Sequence, residues 1–260
     1  MKGALTFALG LLLTTAAATS PVQAAAVDSS TAPSLQQART GLSFSQLRII
    51  YPAHASKGVS LNIHNTSDSA YLVQAWVRPV SPETGSVDLT WAGEPKMPFI
   101  VTPPLSRLET HSEHVLRIRY TGEALPKDRE SIFFVSLRAL PAQLATQGAN
   151  HVVMTVVSNL KLFYRPAGLA EKAIANASRQ LRFRREGDRL IAINPTPYWL
   201  TFAALSLGSF TYEAADLRLM VPPMAEQHYA IPSAAERDAS VKWRLIDEGN
   251  WETPESQQAL

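Results

Sequence analysis

The chain has 260 residues, 46% hydrophobic and 18% charged, with 24 basic against 22 acidic side chains and a formal net charge of +2. That composition belongs to a folded protein of one large domain or two of about 100 residues, and it excludes a disordered chain. Basic residues are scattered and not blocked, which excludes a nucleic-acid footprint, and the absence of cysteine excludes disulfide staples.

The first 24 residues, "MKGALTFALGLLLTTAAATSPVQA", carry Lys2, an apolar run and the small-x-small ending Val22-Gln23-Ala24. This is the layout of a secretory signal peptide, with cleavage after Ala24 and with Ala25 and Ala26 as alternatives. The apolar run is shorter than the roughly 20 residues a span needs, so no stable membrane insertion is expected. An exported chain without cysteine fits a bacterial periplasm. Residues 25–41 are small and polar and read as a flexible N-terminal arm.

Strand patterns dominate from Leu42. "LSFSQLRIIYP" reads as a first strand ended by Pro52. In "GVSLNIHNTSDS", Val59, Leu61 and Ile63 face one way and Ser60, Asn62 and His64 the other. "YLVQAWVRPV" follows, then "KMPFIVTPP", whose prolines place it at an edge or turn. "HVLRIRY" sets Leu116, Ile118 and Tyr120 against Arg117 and Arg119. "ESIFFVSLRALP" and "HVVMTVVSNLKLFYRP" complete seven strands. The last is apolar on both faces and ends with a lone Lys161 before Arg165-Pro166.

"RPAGLAEKA" reads as a linker. A second β set follows, with Gly187-Asp188 as a hairpin turn, and residues 254–260 form a polar, loose tail. Short strands separated by turn signals point to antiparallel sandwiches. The expected class is all-β: an N-terminal domain over 42–166 and a C-terminal domain over 167–253.

Catalytic signatures are missing. There is no G-x-S-x-G, HExxH, P-loop or G-x-G-x-x-G. His111 and His114 point to opposite sides of an extended segment, a poor metal pair. Asp128 and Glu130 are split by Arg129, and no second carboxylate pair accompanies them. Neither an enzyme, a metal nor a cofactor is expected.

"KLFYRP", "VTPPLSRLE" and "LPKDRES", with "YLVQAWV", "INPTPYWLTF" and "VPPM", resemble the PapD-like family of periplasmic chaperones that assemble pili and fimbriae. The resemblance runs from about Leu42 to Trp251. Ser136 stands where the family usually has Asn or Cys. The resemblance implies two immunoglobulin-like β-sandwich domains in a boomerang arrangement with a cleft between them. It implies pilus subunits and an outer-membrane usher as partners, and donor-strand complementation as mechanism, in which the chaperone's G1 edge strand completes an unfinished subunit sandwich.

By the same resemblance, Val152, Met154 and Val156 are the donated residues. Arg48 and Lys161 anchor the subunit's C-terminal carboxylate. Glu130, Arg165 and Asp247 form an interdomain charge cluster. Thr102-Pro103 matches a cis position, and Leu72, Gln74, Thr102, Pro103, Pro104, Arg117 and Leu140 match the usher-facing set. The loop between "RALP" and "HVVM" is short, as in the short F1–G1 loop branch, which points to rod-like or thicker fimbriae.

Lys161 is odd and the donor residues are even, so simple alternation separates them. Either a bulge lies between, at Ser158-Asn159, or the lysine acts off the pairing face. Self-dimerisation of the free form through its exposed edge stays open. The alternative function is a secreted β-sandwich adhesin or structural fibre component, for which residues 25–41 lack the alternating apolar pattern of a donor arm. A periplasmic hydrolase would need a convergent acid, base or metal set.

Overall fold

The computed structural model describes residues 41–142, 155–231 and 240–260. The expected signal peptide, residues 25–40 of the arm, the short loop, Val152 and Met154 lie outside those residues.

The N-terminal sandwich comprises β1 (Leu42–Phe44), β2 (Arg48–Pro52), β3 (Val59–Asn65), β4 (Tyr71–Arg78), β5 (Phe99–Thr102), β6 (Leu105–Leu108), β7 (Glu113–Tyr120), β8 (Ser131–Pro141) and β9 (Val156–Arg165). One sheet has the order β1-β3-β7-β5, the other β2-β9-β8-β4-β6. Period-2 alternation explains the layering. Leu61 and Ile63 of β3, Val73, Ala75 and Val77 of β4, Leu116 and Ile118 of β7, and Leu160 and Leu162 of β9 are buried in one core between the sheets.

The stretch expected as one first strand is two. Leu42–Phe44 pairs with β3 in one sheet, and Arg48–Pro52 runs parallel to β9 in the other. The chain changes sheets at residues 45–47, where Ser45 Oγ accepts from Asn62 N–H at 3.1 Å and Leu47 is exposed. Because β1 and β2 are separate elements and "VTPPLSRLE" supplies β6, this domain shows nine described strands and not seven.

The linker is followed by a helix the sequence reading left unassigned, α1 (Ile174–Gln180), which buries Ile174, Ala177 and Ser178. The C-terminal sandwich contains β10 (Arg182–Glu186), β11 (Arg189–Asn194), β12 (Phe202–Leu207), β13 (Phe210–Thr211), β14 (Ala225–Ala230), β15 (Ser240–Leu245) and β16 (Ser256–Ala259). Its sheets have the orders β10-β11-β14 and β13-β12-β15-β16, around Leu190, Leu200, Phe202, Leu205, Val241 and Trp243. β10 and β11 close through the expected two-residue turn, with Gly187 at φ +59. The tail read as loose is ordered: Ser256–Ala259 pairs antiparallel with β15, and Gln258 clasps the Phe183 backbone through both its amide atoms.

Candidate functional site

β9 organises the site. Its ladder with β8 runs from Ala139↔Val156 to Ser131↔Tyr164 without a shift. No bulge lies at Ser158-Asn159, so Lys161 lies on the face of β9 opposite Val156 and Ser158. Val156 and Ser158 line a small, partly open cavity of about 30 Å³ with Leu42, Phe44, Ile63, Val73, Leu137 and Ala139. The odd face carries Val157 (45% exposed), Asn159, Lys161, Phe163 and Arg165. β2 covers the outer edge of β9 only from Lys161 to Arg165. Over 156–160, β8 is the only strand paired with β9 among the described residues, leaving that backbone edge open.

Where β2 begins, Arg48 and Lys161 stand side by side as parallel partners. Arg48 is 4% exposed, and its guanidinium lies 3.8 Å from the Phe163 ring centroid. It donates to Thr201 Oγ1 at 3.2 Å and to the Trp199 carbonyl at 3.4 Å, both in the C-terminal domain. Its Nε is buried without a partner among the described residues. Lys161 has no hydrogen bond or ion pair with any described residue. Together with Leu47, Asn159, Leu160, Thr201, Ile246 and Asn250 these cations line an open cleft of about 390 Å³.

Burial pushes the Lys161 ammonium down from its ordinary value to about 8, and the neighbouring Arg48 charge pushes the same way. Burial likewise lowers Arg48 to about 10, against the more distant pull of Glu130 and Glu248. Two adjacent cations that contact no carboxylate among the described residues make a site for an anion; a carboxylate could take charge-assisted hydrogen bonds from both.

Below the cleft, Arg165 is 1% exposed and Glu130 2%. Arg165 Nε donates to Glu130 Oε1 at 2.7 Å, and its Nη1 donates to the carbonyls of Ala170 and Glu171 and to Glu248 Oε1 at 3.1 Å. Glu130 Oε2 accepts from Trp199 N–H at 2.9 Å, and its backbone carbonyl accepts from the Trp199 indole. Burial raises the Glu130 carboxyl, opposed chiefly by Arg165. The expected third member, Asp247, is not in this contact. Its Oδ1 instead accepts from Gly249 N–H and Trp251 N–H and folds its own turn, while Glu248 turns inward to Arg165 and to the N–H groups of Ala173 and Ile174.

Leu72, Gln74 and Leu140 share the outer face of the β4–β8 pair, with Leu72 opposite Leu140. Thr102 faces Arg117 across the β5–β7 ladder, the Thr102-Pro103 bond is cis, and Pro104 carries the chain into β6, its carbonyl accepting from Ala75 N–H. Ser136 is buried and donates to Asn159 Oδ1 at 2.7 Å. His111 is exposed and meets Asp68 at 2.8 Å. Among the described residues no group of three metal-ligating side chains occurs, and no helix is long and apolar enough to cross a membrane. Sequence reasoning missed Thr201, Trp199 and Glu248, whose roles depend on the second domain; Phe163, an aromatic two residues after Lys161 on the same face, was a readable signal.

Residues 41–170 match the family described as "Pili and flagellar-assembly chaperone, PapD N-terminal domain", and residues 176–256 match "Pili assembly chaperone PapD, C-terminal domain". The chaperone protein FimC of Escherichia coli O6:H1 (strain CFT073) is 37% identical over 221 residues, 84% of each chain. The probable fimbrial chaperone ElfD of Escherichia coli K12 is 33% identical over 216 residues, 83% of this chain and 85% of its own. Among solved structures, the Salmonella enterica SafA pilin–SafB chaperone complex contains a chain that superposes with a TM-score of 0.70 at 26% identity, covering 84% of this chain and 96% of that one. The Escherichia coli chaperone DraB gives 0.68 at 27%, covering 84% and 98%.

Proposed function

The chain belongs to the PapD-type family of periplasmic pilus assembly chaperones, and we propose that it captures fimbrial subunits by lending them the open edge of β9 while Arg48 and Lys161 hold the subunit's C-terminal carboxylate. The observation that carries this reading is Lys161: half-buried beside a buried arginine, at a cleft, without a partner among the described residues. An unpaired cation there is unfavourable in the free protein, so its use lies in what it binds.

The donated residues are Val152, Met154 and Val156. Val156 lies on the β9 face that continues the chaperone's own core, and a subunit groove placed against that edge would extend the core outward. Fully burying each such side chain stabilises by roughly 1.5–3 kcal/mol. The open backbone edge supplies the ladder hydrogen bonds of strand addition. Residues 1–24 serve as a cleaved export signal. Leu72, Gln74, Leu140, Thr102, Pro103, Pro104 and Arg117 present the surface for the outer-membrane usher, and self-association of the free form would use the same β9 edge. The Glu130–Arg165 pair, joined by Glu248, holds the domains in register, a role supported by its burial.

The test is co-expression of the tagged chain with its neighbouring small secreted genes, recovery from the periplasm, and mass measurement of what co-purifies. Wild type is expected to carry a pilin-sized partner. Arg48→Ala and Lys161→Ala, with native far-UV circular dichroism, are expected to lose it. A folded double variant that still carries the partner in normal yield overturns the anchor assignment.

A further inference from the structure

The charged floor of the cleft is not the only place where the two sandwiches meet. The connection between β4 and β5, residues 79–98, begins as a tightly stapled loop. Val80 bridges Val87, Ser81 N–H donates to the Ser86 carbonyl at 2.8 Å, Gly85 N–H to the Ser81 carbonyl at 2.9 Å, and Asp88 N–H to the Pro79 carbonyl at 2.9 Å. At its tip Gly85 is buried with φ +64. A Cβ built there would stand 2.2 Å from the Arg218 carbonyl oxygen and 2.9 Å from Leu219 Cα. The contact is backbone on backbone, so no rotamer change can relieve it.

The segment it touches is itself fixed. Leu219 N–H donates to the Asp216 carbonyl at 3.3 Å, and the Leu219 carbonyl accepts from Tyr229 Oη at 2.6 Å. Two residues on, Val221 and Leu200 exchange both backbone hydrogen bonds, at 3.0 and 2.9 Å. Next to Leu200 is Thr201, whose hydroxyl accepts from Arg48. A continuous hard path therefore runs from Gly85 through Leu219, Val221 and Leu200 to Thr201.

We infer that Gly85 is a positioning residue for carboxylate capture: its close backbone approach to Arg218 and Leu219 sets where the C-terminal domain holds Thr201 against Arg48. The inference rests on the proposed capture of a carboxylate by Arg48 and Lys161. Only glycine fits, for two separable reasons, the left-handed φ and the missing Cβ.

Gly85→Ala in the full chain is compared with Gly187→Ala, which imposes the same left-handed strain at φ +59 but has no atom of a described residue within 4 Å of its new Cβ. Gly85→Asn keeps the wedge with a residue that tolerates left-handed backbone, and serves if Gly85→Ala fails to fold. The cysteine-free background allows spin labels at Lys57→Cys and Ser209→Cys, one on each sandwich, for interdomain distances. Binding is measured with a fourteen-residue alternating Val-Thr peptide as free acid and as C-terminal amide.

Wild type and Gly187→Ala are expected to prefer the acid by roughly 10- to 100-fold, the range for hydrogen bonds to a charged group. The Gly85 variants are expected to shift or broaden the label distance and to bring the acid-to-amide ratio close to one. An unchanged distance, or a changed distance with the acid preference intact, overturns the inference. A wild-type protein indifferent to acid or amide would sink the carboxylate reading instead, while the label distance would still report whether Gly85 positions the two sandwiches.

Discussion

Burial of the Lys161 ammonium sets stability against the proposed carboxylate capture at a single atom. Its folded pKa of about 8 lies below its unfolded value of 10.5, so between those pH values the unfolded chain binds the extra proton. The stability of the free chaperone therefore rises with pH from about 8 to 10.5; below 8 both states are charged and the burial penalty is fully felt. Replacing the ammonium by an apolar chain of similar length, Lys161→Met, is expected to stabilise the free protein at pH 7 by roughly 2–3 kcal/mol, read as a higher urea midpoint. A lower midpoint would mean that the ammonium is favourably solvated in the cleft. Ligand binding has the opposite sign. A carboxylate needs the charged lysine, so the dissociation constant of an acid-terminated peptide is expected to be flat below pH 8 and to rise by about tenfold per unit above it. Titration of binding from pH 6 to 10 checks this, and Lys161→Met should remove the pH dependence along with most of the affinity.

Elements whose one face is buried were legible in the sequence. Val59–Asn65, Tyr71–Arg78 and Glu113–Tyr120 alternate because one side of each packs in the core and the other meets solvent. The split of residues 42–52 between two sheets was not legible, because both halves are individually good strand and only their partners differ. β16 was missed for the opposite reason. Ser-Gln-Gln-Ala has no apolar face, and it is a strand because β15 offers an edge and Gln258 closes the gap to β10. That side chain substitutes for a missing ladder pair on Phe183. Gln258→Ala is expected to destabilise by about 1–2 kcal/mol and to speed amide exchange at Phe183 in particular. Unchanged exchange there would mean that solvent already satisfies the Phe183 backbone. The two cations of the cleft and Asp247 were placed by resemblance alone; that Glu248 and not Asp247 turns toward Arg165 depends on the direction of a turn, which two adjacent acids do not reveal.

Among the described residues, the buried Glu130–Arg165 pair lies within the first sandwich, and each member takes further partners from beyond it. Arg165 ends the last strand of the first sandwich and donates to Ala170, Glu171 and Glu248 beyond it. Glu130 precedes β8, and its carboxylate and backbone meet Trp199 and Pro197 of the second sandwich. If one domain unfolded alone, the other would be left with an ion pair stripped of these partners, so the arrangement couples the two folding equilibria. Truncating one member of such a pair costs about 3–5 kcal/mol because it strands the other charge. Arg165→Met is therefore expected to lower stability by that amount and to split a single urea transition into two, with Glu130→Gln added to it recovering part of the loss. Glu248→Ala should weaken the same coupling more mildly, since it removes one acceptor from Arg165 and from the start of α1. Asp247→Ala should leave the coupling intact and loosen only its own turn. Fluorescence and circular dichroism followed together through the urea titration distinguish these cases, because domains that unfold independently give midpoints that differ between probes. Coincident midpoints in Arg165→Met would show that the cluster does not couple the domains, and that the Arg48–Thr201 bond and the Gly85 contact suffice to hold them together.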